Sequence, residues 1–481
     1  MSHSSGALAY MPAHRQLELF RTKELSPVDV LKAQIARAEA AGDRINAFTH
    51  RHFEEGLKAA KESECRYDRG DPRPLEGISV AVKDEFDRRG WIVTQGSVLL
   101  SDDVSDENHP VVDKLLAAGA ILHVQTTAPE FFLIGVTWSD LWGVTRNPWN
   151  PDCTPGGSSG GSAAALAAGM ATLAIGSDMG GSIRIPCAFN GLYGSKPAYG
   201  RMASRDPSAL VPHASPGPLA RDLRDLIMLQ NVMSGPAASC PAVLRPALEL
   251  PLDQAFPRAF RLALSLDQGW ANLEPDVRAN ALDAVKVLQE AGAHVEEIEL
   301  QLETSDAKLR ETIEEALFST ALGANLIELV PKLDRLTTYG QRFVRLACEM
   351  GPMQAREAAE ETLRLYRIID ERVFEQGYDA LITPTVATTR LAADYDPSKD
   401  SPLVNGKRVD PYSGWFLTSL FSLLNWMPVI NVPLGLAANN VPTGMQIATR
   451  PYDDLTAAAI AALYAQAARP MPFDHLTHAL L

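Results

Sequence analysis

The sequence predicts an α/β fold, because short apolar runs alternate with segments of helical periodicity along much of the chain. This alternation is typical of a β-sheet covered by helices. The chain has 481 residues, of which 46% are hydrophobic and 21% are charged, ordinary proportions for a globular protein. That length allows one large domain with insertions, or two or three domains.

The N-terminal quarter contains two helix-then-strand pairs. Helical spacing over 27–66 follows Ser26-Pro27, a sequence that suits a helix start, and the run 77–84 reads as a strand ending in charge. Residues 110–119 begin with Pro and end with Gly, which predicts a short helix, and 120–125 is an apolar strand.

The segment 147–161 is rich in Pro, Gly and Ser, a composition usual for linkers. Here it leads directly into a small-residue helix at 162–170, a strand at 172–178 and a tight turn at 179–182. We therefore expect it to belong to the domain rather than to separate two domains.

The second half continues the same pattern. Its predicted elements are a strand at 259–266, a helix at 275–292, a strand at 293–300, mostly helix over 306–377, and short buried strands at 378–386 and 428–434.

Composition excludes several classes of function. The net charge is −15, and acidic and basic residues are scattered, so the basic face needed for nucleic acid is absent and we expect no such partner. The cysteine count is odd and no two cysteines form a C-x-x-C pair, which argues against disulfides and zinc. We predict no metal and no cofactor.

Membrane association is also not expected. The N-terminus lacks the apolar core of a signal peptide, and 163–176 is shorter than the ~20 residues of a spanning helix. The longer uncharged stretch 413–449 is interrupted by Pro428 and Pro433, which suits a buried helix followed by a buried strand. We expect a cytoplasmic protein.

Two serine-glycine clusters, 156–161 and 178–182, are the strongest candidates for chemistry. Successive free N–H groups in such turns can bind an oxyanion. A P-loop is excluded because Ser162 follows Gly161 where Lys is required, and a nucleophile elbow is excluded because 150–155 cannot form the preceding strand.

The segment 147–197 closely resembles the amidase-signature family, through NPWNPDCTPGGSSGGSAAALAAGM and TLAIGSDMGGSIRIP. The resemblance extends through 75–87 and 127–149 and more weakly to the C-terminal region. It implies one domain over 1–481 with its most specific part at 75–200. It also implies a large mixed β-sheet covered on both faces by helices, and a helical, more variable substrate-side region at about 305–377.

The resemblance also implies catalytic roles. Ser182 corresponds to the nucleophile that forms an acyl-enzyme, Ser158 to a bridging serine after a cis peptide from Gly157, and Lys83 to the base. The oxyanion hole would be formed by the backbone N–H groups of Met179, Gly180, Gly181 and Ser182.

The chemistry of these residue types agrees with the roles. A serine hydroxyl becomes a useful nucleophile when a neighbour accepts its proton, and a lysine can do so only when burial keeps it neutral. The apolar run 78–82 carries Lys83 inward. Asp178, Arg184 and Ser159 are expected to support these groups, with Arg184 paired to Asp178.

The pocket decides the substrate. Candidate pocket residues are largely aromatic, which suggests a bulky or aryl group: Phe131, Phe132, Ile134, Trp138, Trp142, Met179, Tyr193, Trp415 and Trp426. We expect a hydrolase of small-molecule amides or carbamates (urethanes), and the same acyl transfer also handles esters. A homodimer is the assembly to test.

Two other functions stay open. The chain resembles the glutaminase subunits of tRNA-dependent amidotransferases, but 413–428, where those subunits commonly carry an acidic residue that contacts glutamine, contains no acid. A catalytically silent binding protein is disfavoured because Lys83, Ser158 and Ser182 are all present.

Overall fold

A computed structural model of the chain describes residues 5–205, 207–253 and 259–479. Within them the helices are α1 (Ser5–Tyr10), α2 (Ala13–Thr22), α3 (Pro27–Ile45), α4 (Phe53–Arg69), α5 (Pro110–Ala117), α6 (Gly160–Ala167), α7 (Arg184–Asn190), α8 (Leu223–Met233), α9 (Pro275–Glu290), α10 (Asp306–Phe318), α11 (Ala321–Ile327), α12 (Thr338–Glu349), α13 (Pro352–Ile369), α14 (Ser419–Leu423), α15 (Asp454–Ala467) and α16 (Asp474–Ala479).

The strands of the same residues are β1 (Phe48–Arg51), β2 (Ser79–Lys83), β3 (Ile121–Thr126), β4 (Trp138–Ser139), β5 (Gly143–Val144), β6 (Leu173–Asp178), β7 (Tyr193–Lys196), β8 (Ser215–Ala220), β9 (Arg261–Leu264), β10 (His294–Glu297), β11 (Ala380–Pro384), β12 (Leu403–Val404), β13 (Lys407–Arg408), β14 (Val429–Leu436) and β15 (Pro442–Thr449).

Eleven of these strands form one mixed sheet in the order β1-β3-β2-β6-β8-β7-β14-β15-β11-β9-β10. Strands β3, β2 and β6 are parallel, as are β11, β9 and β10, and the strands between these groups pair antiparallel. The predicted α/β fold with a large mixed sheet is confirmed.

Both faces of the sheet are covered. Along β2, Val80 and Val82 pack in one core cluster and Ala81 in another, and β6 repeats this arrangement with Leu173 and Ala174. Because successive side chains of a strand point to opposite faces, both faces of these strands are buried away from solvent. This explains why they read as continuous apolar runs.

The prediction of one helix over 27–66 is wrong. Helix α3 ends where Asn46 adopts a left-handed backbone with φ of 53°, and α4 begins at Phe53. Between them lies strand β1, which pairs antiparallel with β3 at the edge of the sheet. The sheet partner lies some 75 residues further along the chain, so the local helical spacing gave no sign of this interruption.

Helix α6 packs very closely on the sheet because its sequence, GGSAAALA, contains small residues. A Cβ on Gly161 would lie 2.4 Å from the Thr127 hydroxyl oxygen, and one on Gly160 would lie 2.2 Å from that of Thr137. The close approach brings the loop before α6 against the ends of β2 and β6.

Helices α10 to α13 lie within 306–369, and the first three of them, α10 to α12, add side chains to the cavity described below. The stretch 413–449 contains the short buried helix α14 and then the hairpin β14–β15. No helix of the described residues is long and apolar enough to span a membrane.

Candidate active site

The candidate site lies where two neighbouring parallel strands end. Lys83 is the last residue of β2, and Ser177 and Asp178 are the last two of β6. Val82 lies opposite Ile175 in the ladder, so the two carboxyl ends are adjacent. Polar groups at the carboxyl ends of parallel strands are a common location for ligand sites in α/β proteins.

The Lys83 ammonium is fully buried among three oxygen acceptors. Its Nζ lies 2.9 Å from Ser158 Oγ, 2.8 Å from Ser177 Oγ and 2.9 Å from Glu85 Oε2. The ring of Phe132 lies over the same nitrogen, with its centroid 4.5 Å away. The predicted contact between Lys83 and Ser158 is thus present.

Opposing effects set the pKa of Lys83. Burial lowers it, while the carboxylate of Glu85 and the more distant Asp178 raise it, and the net direction is downward from the ordinary 10.5. Burial disfavours the charged form of a lysine, so this environment favours a neutral amine more than water does.

The Gly157–Ser158 peptide is cis, as the resemblance implied. Gly157 packs so tightly on the preceding loop that a Cβ would lie 2.5 Å from the Val136 carbonyl oxygen. Ser158 is fully buried and lines the cavity. Only glycine fits at the position before it.

Ser182 is half-buried at the same cavity. Its carbonyl accepts a hydrogen bond of 3.1 Å from the N–H of Ser159. Within 5–205, 207–253 and 259–479, the Ser182 hydroxyl makes no hydrogen bond, so the predicted link from Ser182 to Ser158 is not formed in this structure.

The turn 179–182 offers fewer oxyanion donors than predicted. The N–H of Gly181 donates to Asp178 Oδ1 at 2.9 Å and is therefore not free to bind an oxyanion, contrary to the prediction. The N–H groups of Met179, Gly180 and Ser182 have no acceptor in the described part of the chain. Gly180 faces open space and lines the cavity.

Asp178 and Arg184 form a fully buried ion pair behind this turn, with Nη2 of Arg184 2.8 Å from Oδ1. Burial raises the pKa of Asp178, but Arg184 and the more distant Lys196 together lower it by more than burial raises it. The pKa therefore lies below the ordinary 3.8. Asp178 also accepts the N–H groups of Gly181 and Ile183. The pair thus anchors the turn that carries Ser182.

Ser159 supports the site from the other side. It is fully buried, its N–H holds the Ser182 carbonyl, and its hydroxyl donates to the Ser177 carbonyl at 3.4 Å. It therefore links the loop before α6 to the end of β6.

A cavity of about 160 Å³ opens from Ser158 and Ser182. Its walls are mainly apolar, with a few charged groups. They comprise Glu85, Phe131, Phe132, Leu133, Ile134, Gly135, Ser158, Ser177, Asp178, Met179, Gly180, Ser182, Ile185, Ala214, Arg310, Ile313, Glu314, Leu317, Phe318, Leu322, Phe343, Tyr412, Ser413, Phe416 and Ser419.

Among the predicted pocket residues, Phe131, Phe132, Ile134 and Met179 line this cavity. The two phenylalanines both have left-handed backbones, with φ of 49° and 64°, which is strained for bulky residues. The neighbouring Glu130 holds them in place, since its carboxylate accepts hydrogen bonds from Ser97 Oγ at 2.7 Å and from the N–H of Thr337 at 2.8 Å.

Five residues of the predicted pocket do not line the cavity, namely Trp138, Trp142, Tyr193, Trp415 and Trp426. Trp138 donates its Nε1–H to the Tyr395 carbonyl at 2.9 Å and points away. Trp415 is buried in the core behind Gly135.

Tyr193 and Trp426 complete these corrections. Strand β7 turns Tyr193 toward a separate cavity of about 560 Å³, shared with Tyr10 and Arg221. Trp426 is half-buried, and its carbonyl accepts the N–H of Tyr452. Aromatic composition identified bulky residues, but it could not show on which side of the chain each ring lies.

Sequence reasoning missed Glu85, Ser177 and the side chains of α10 to α12 that line the cavity. Glu85 follows Lys83 by two positions, a spacing that places two side chains on one side of an extended chain. That spacing was the available signal. The residues of α10 to α12 gave no such signal, because their sequence pattern is that of ordinary core positions.

One group of described side chains is close enough to hold a metal ion, namely His14, Asp222 and Asp225. It lies away from Ser182. Asp225 accepts the N–H groups of Ala13 and His14, and Asp222 caps α8. These hydrogen bonds give the carboxylates a structural role.

Comparisons with known proteins agree with this arrangement. The family model described as Amidase matches residues 29–457. A glutamyl-tRNA(Gln) amidotransferase subunit from Symbiobacterium thermophilum is 31% identical, covering 94% of this chain and 96% of that protein. The chain therefore belongs to the amidase-signature family.

Solved structures are similar over nearly the whole chain. A bacterial aryl acylamidase of the amidase-signature family matches with a TM-score of 0.89 at 26% identity, covering 97% of this chain and 98% of that one. A 6-aminohexanoate cyclic dimer hydrolase complexed with substrate matches with a TM-score of 0.81 at 26% identity, covering 96% and 99%. This chain is an enzyme of the family, a hydrolase of carbon–nitrogen bonds.

Proposed function

We propose that the enzyme hydrolyses amides or carbamates on its own, through an acyl-enzyme on Ser182 and a proton relay through Ser158 to Lys83. The observation that carries this proposal is the 2.9 Å contact between Lys83 Nζ and Ser158 Oγ at the buried end of a cavity whose wall includes Ser182.

Acylation follows from this placement. Ser182 Oγ attacks the carbonyl carbon while its proton passes to Ser158, and the proton of Ser158 passes to neutral Lys83. Free N–H groups of the 179–182 turn stabilise the oxyanion. The relay then returns a proton to the nitrogen as the C–N bond breaks, and the amine departs.

Deacylation uses the same groups in the same order. Water attacks the acyl carbon and gives a proton to the relay, the relay returns a proton to Ser182 Oγ as the C–O bond breaks, and the acid departs. The hydrogen bond between Ser182 and Ser158 has to form when substrate binds, because it is absent in the free enzyme. Catalytic hydrogen bonds often tighten only in the complex.

The cavity supports a compact apolar or aryl group on the substrate. Its volume of about 160 Å³ is close to that of an engineered apolar cavity of ~150 Å³ that binds benzene. Phe131, Phe318 and Phe416 provide aromatic wall. The similarity to a bacterial aryl acylamidase supports aryl amides or carbamates as the first substrates to test.

A hydrolysis screen over aryl amides, aliphatic amides, esters and urethanes tests this proposal. Ser182→Ala should abolish turnover and labelling by a fluorophosphonate probe, while Lys83→Ala and Ser158→Ala should lose several orders of magnitude, because relay members act as a unit. Ser162→Ala, which removes a buried hydroxyl of α6 outside the cavity, is the control. Near-full activity of Lys83→Ala would contradict the relay.

The pH dependence provides a second test. Since Lys83 must be neutral to accept a proton, activity should rise with pH. The midpoint should fall below the ordinary lysine pKa of 10.5, because burial lowers the pKa of Lys83. A rate that falls with pH over the range where the protein is stable would speak against Lys83 as the base.

The alternative is the glutaminase subunit of a tRNA-dependent amidotransferase, which the 31% identity to such a subunit favours. The charged residues at the far wall of the cavity favour a stand-alone amide hydrolase over a glutaminase. Arg310 pairs with Asp410 and Glu314, and Arg342 pairs with Glu314. The two arginines thus balance the two carboxylates. This group of four has no excess positive charge that could bind the carboxylate of an amino acid.

Glutamine turnover separates the two functions. The purified chain should release little ammonia from glutamine while it hydrolyses aryl amides. Efficient glutamine hydrolysis, or copurification with two further subunits from its host, would instead favour the glutaminase assignment.

A further inference from the structure

Glu85 lies in direct contact with the proposed base. Its Oε2 is 2.9 Å from Lys83 Nζ and accepts a hydrogen bond of 2.5 Å from Ser177 Oγ. Ser177 Oγ in turn accepts from Lys83 at 2.8 Å. The three groups form a closed triangle, one side of which is the ion pair.

The number of acceptors matches the charged state of the lysine. A lysine ammonium has three N–H donors, and Nζ has three oxygen neighbours, on Ser158, Ser177 and Glu85. A neutral amine has two N–H bonds and one lone pair, which must point at Ser158 to receive its proton. The structure therefore accommodates the protonated lysine.

No other described charged group touches Nζ. Asp178 influences Lys83 from a distance and is paired with Arg184. The carboxylate of the neighbouring Asp84 is also directed away from Nζ, since it accepts a hydrogen bond from the N–H of Thr94.

Two further elements face the cavity. On the short 3-10 helix Glu130–Phe132, the ring of Phe132 covers Nζ and Glu130 points to Thr337. Across the cavity, Arg310 and Glu314 pair with each other. In the part of the chain that the structure describes, Glu85 is therefore the charged group in contact with the base.

We propose that Glu85 is a positioning residue that holds the Lys83 ammonium beside Ser158 and sets the pH range in which Lys83 can accept a proton. This inference rests on the proposed role of Lys83. Protonated Lys83 is attracted to Glu85, and deprotonated Lys83 loses that attraction, which leaves its lone pair free to face Ser158. Ser177 keeps the Glu85 carboxylate in place in both states.

The size of the effect follows from distance and exposure. An opposite charge within about 4–6 Å changes a pKa by about 1–3 units. The Glu85 side chain is 25% exposed, so solvent screens part of its field, and the lower end of that range applies. Removing the charge should therefore move the rising limb of the pH–rate profile by about one pH unit toward acid.

The test compares pH profiles of kcat/KM for an aryl ester or amide, together with rates of fluorophosphonate labelling. Glu85→Gln keeps the shape and the acceptor but removes the charge, so its profile should move by about one unit toward acid. Asp87→Asn is the matched control. Asp87 lies two positions further along and pairs with Arg205, so its profile should coincide with that of the wild type.

Several outcomes would overturn the inference. They are a Glu85→Gln profile that coincides with the wild type or moves toward base, and a folded Glu85→Gln protein inactive at every pH. If Glu85→Gln does not fold, Glu85→Asp replaces it, and a longer, weaker ion pair should move the limb toward acid by less than one unit. Lys83→Ala separates the two ideas, because if it stays active, the proposed function itself fails.

Discussion

Replacement of Arg184 by methionine tests whether the buried pair behind the catalytic turn carries stability. The guanidinium makes five hydrogen bonds, two to Asp178 and one each to Ser422, Gln446 and the carbonyl of Thr418, all between 2.7 and 3.0 Å. Arg184→Met keeps most of the side-chain volume and removes all five, leaving Asp178 as an unpaired buried carboxylate.

The magnitude follows from that stranded charge. Removing one partner of a fully buried ion pair costs about 3–5 kcal/mol in the free energy of unfolding, a large share of the stability of a typical domain. Because the loss is due mainly to the remaining anion, Arg184→Met/Asp178→Asn should be more stable than the sum of the two single changes predicts.

The pH dependence of the same variants has a definite sign. In the wild type the pKa of Asp178 lies below its ordinary 3.8, so its stabilising contribution is present above about pH 4 and is lost as pH falls through the lower native pKa. In Arg184→Met, the group that lowers the pKa of Asp178 most is gone, and burial, the largest single effect, raises that pKa against the weaker influence of Lys196 and the backbone N–H donors. That variant should therefore lose stability as pH rises, and it should be closest to the wild type in acid.

Urea unfolding followed by tryptophan fluorescence at pH 5 and pH 7.5 measures these free energies. Arg15→Met, which breaks an exposed pair with Glu18, is the control and should leave the midpoint unchanged. A loss of less than about 1 kcal/mol for Arg184→Met, the size of a surface pair, or strict additivity in the double variant, would refute the reasoning.

Two further predictions concern the turn and the cavity wall. Gly181→Ala should lower stability by more than about 1 kcal/mol in thermal unfolding, because φ at Gly181 is +125° and the new Cβ would lie 2.1 Å from the Thr418 hydroxyl oxygen. Gly180→Ala is the control, since its Cβ meets open space, and it should not lower stability. Equal losses for the two variants would contradict this. Phe318→Leu should raise kcat/KM for bulky aryl substrates relative to small ones, since Phe318 lines the cavity. Trp426→Ala should leave that ratio unchanged, and a change would show that our account of the wall is incomplete.

The sequence was sufficient for the class of fold and for the parts of the site that need particular residue types at particular spacings. Lys83 ends a strand whose apolar run is visible in the letters, and glycines occur where a side chain has no room, as at Gly157 and Gly161. Such features are local, and local propensity and packing limits leave their mark on the sequence.

Strand pairing marks the limit of local reasoning. The segment Ser215–Ala220 contains two prolines, a residue usually confined to edge strands, yet it is a strand in the middle of the sheet, paired with β6. Likewise β1 interrupts a predicted helix because β3 offers it an open edge. Both strands depend on partners far away in the chain, and no local pattern encodes that pairing.

The same distinction holds within the site. That a lysine ends an apolar strand and that two serines follow glycines is visible in the residues themselves, and the resemblance to the family added their catalytic roles. That Glu85 touches Lys83, that the Gly181 N–H is already bound, and that α10 to α12 rather than Trp138 or Trp415 form the cavity wall follow only from the tertiary structure. The physical reason is that charge pairing and cavity shape depend on distances in space, whereas spacing along the chain determines only which neighbours share a face.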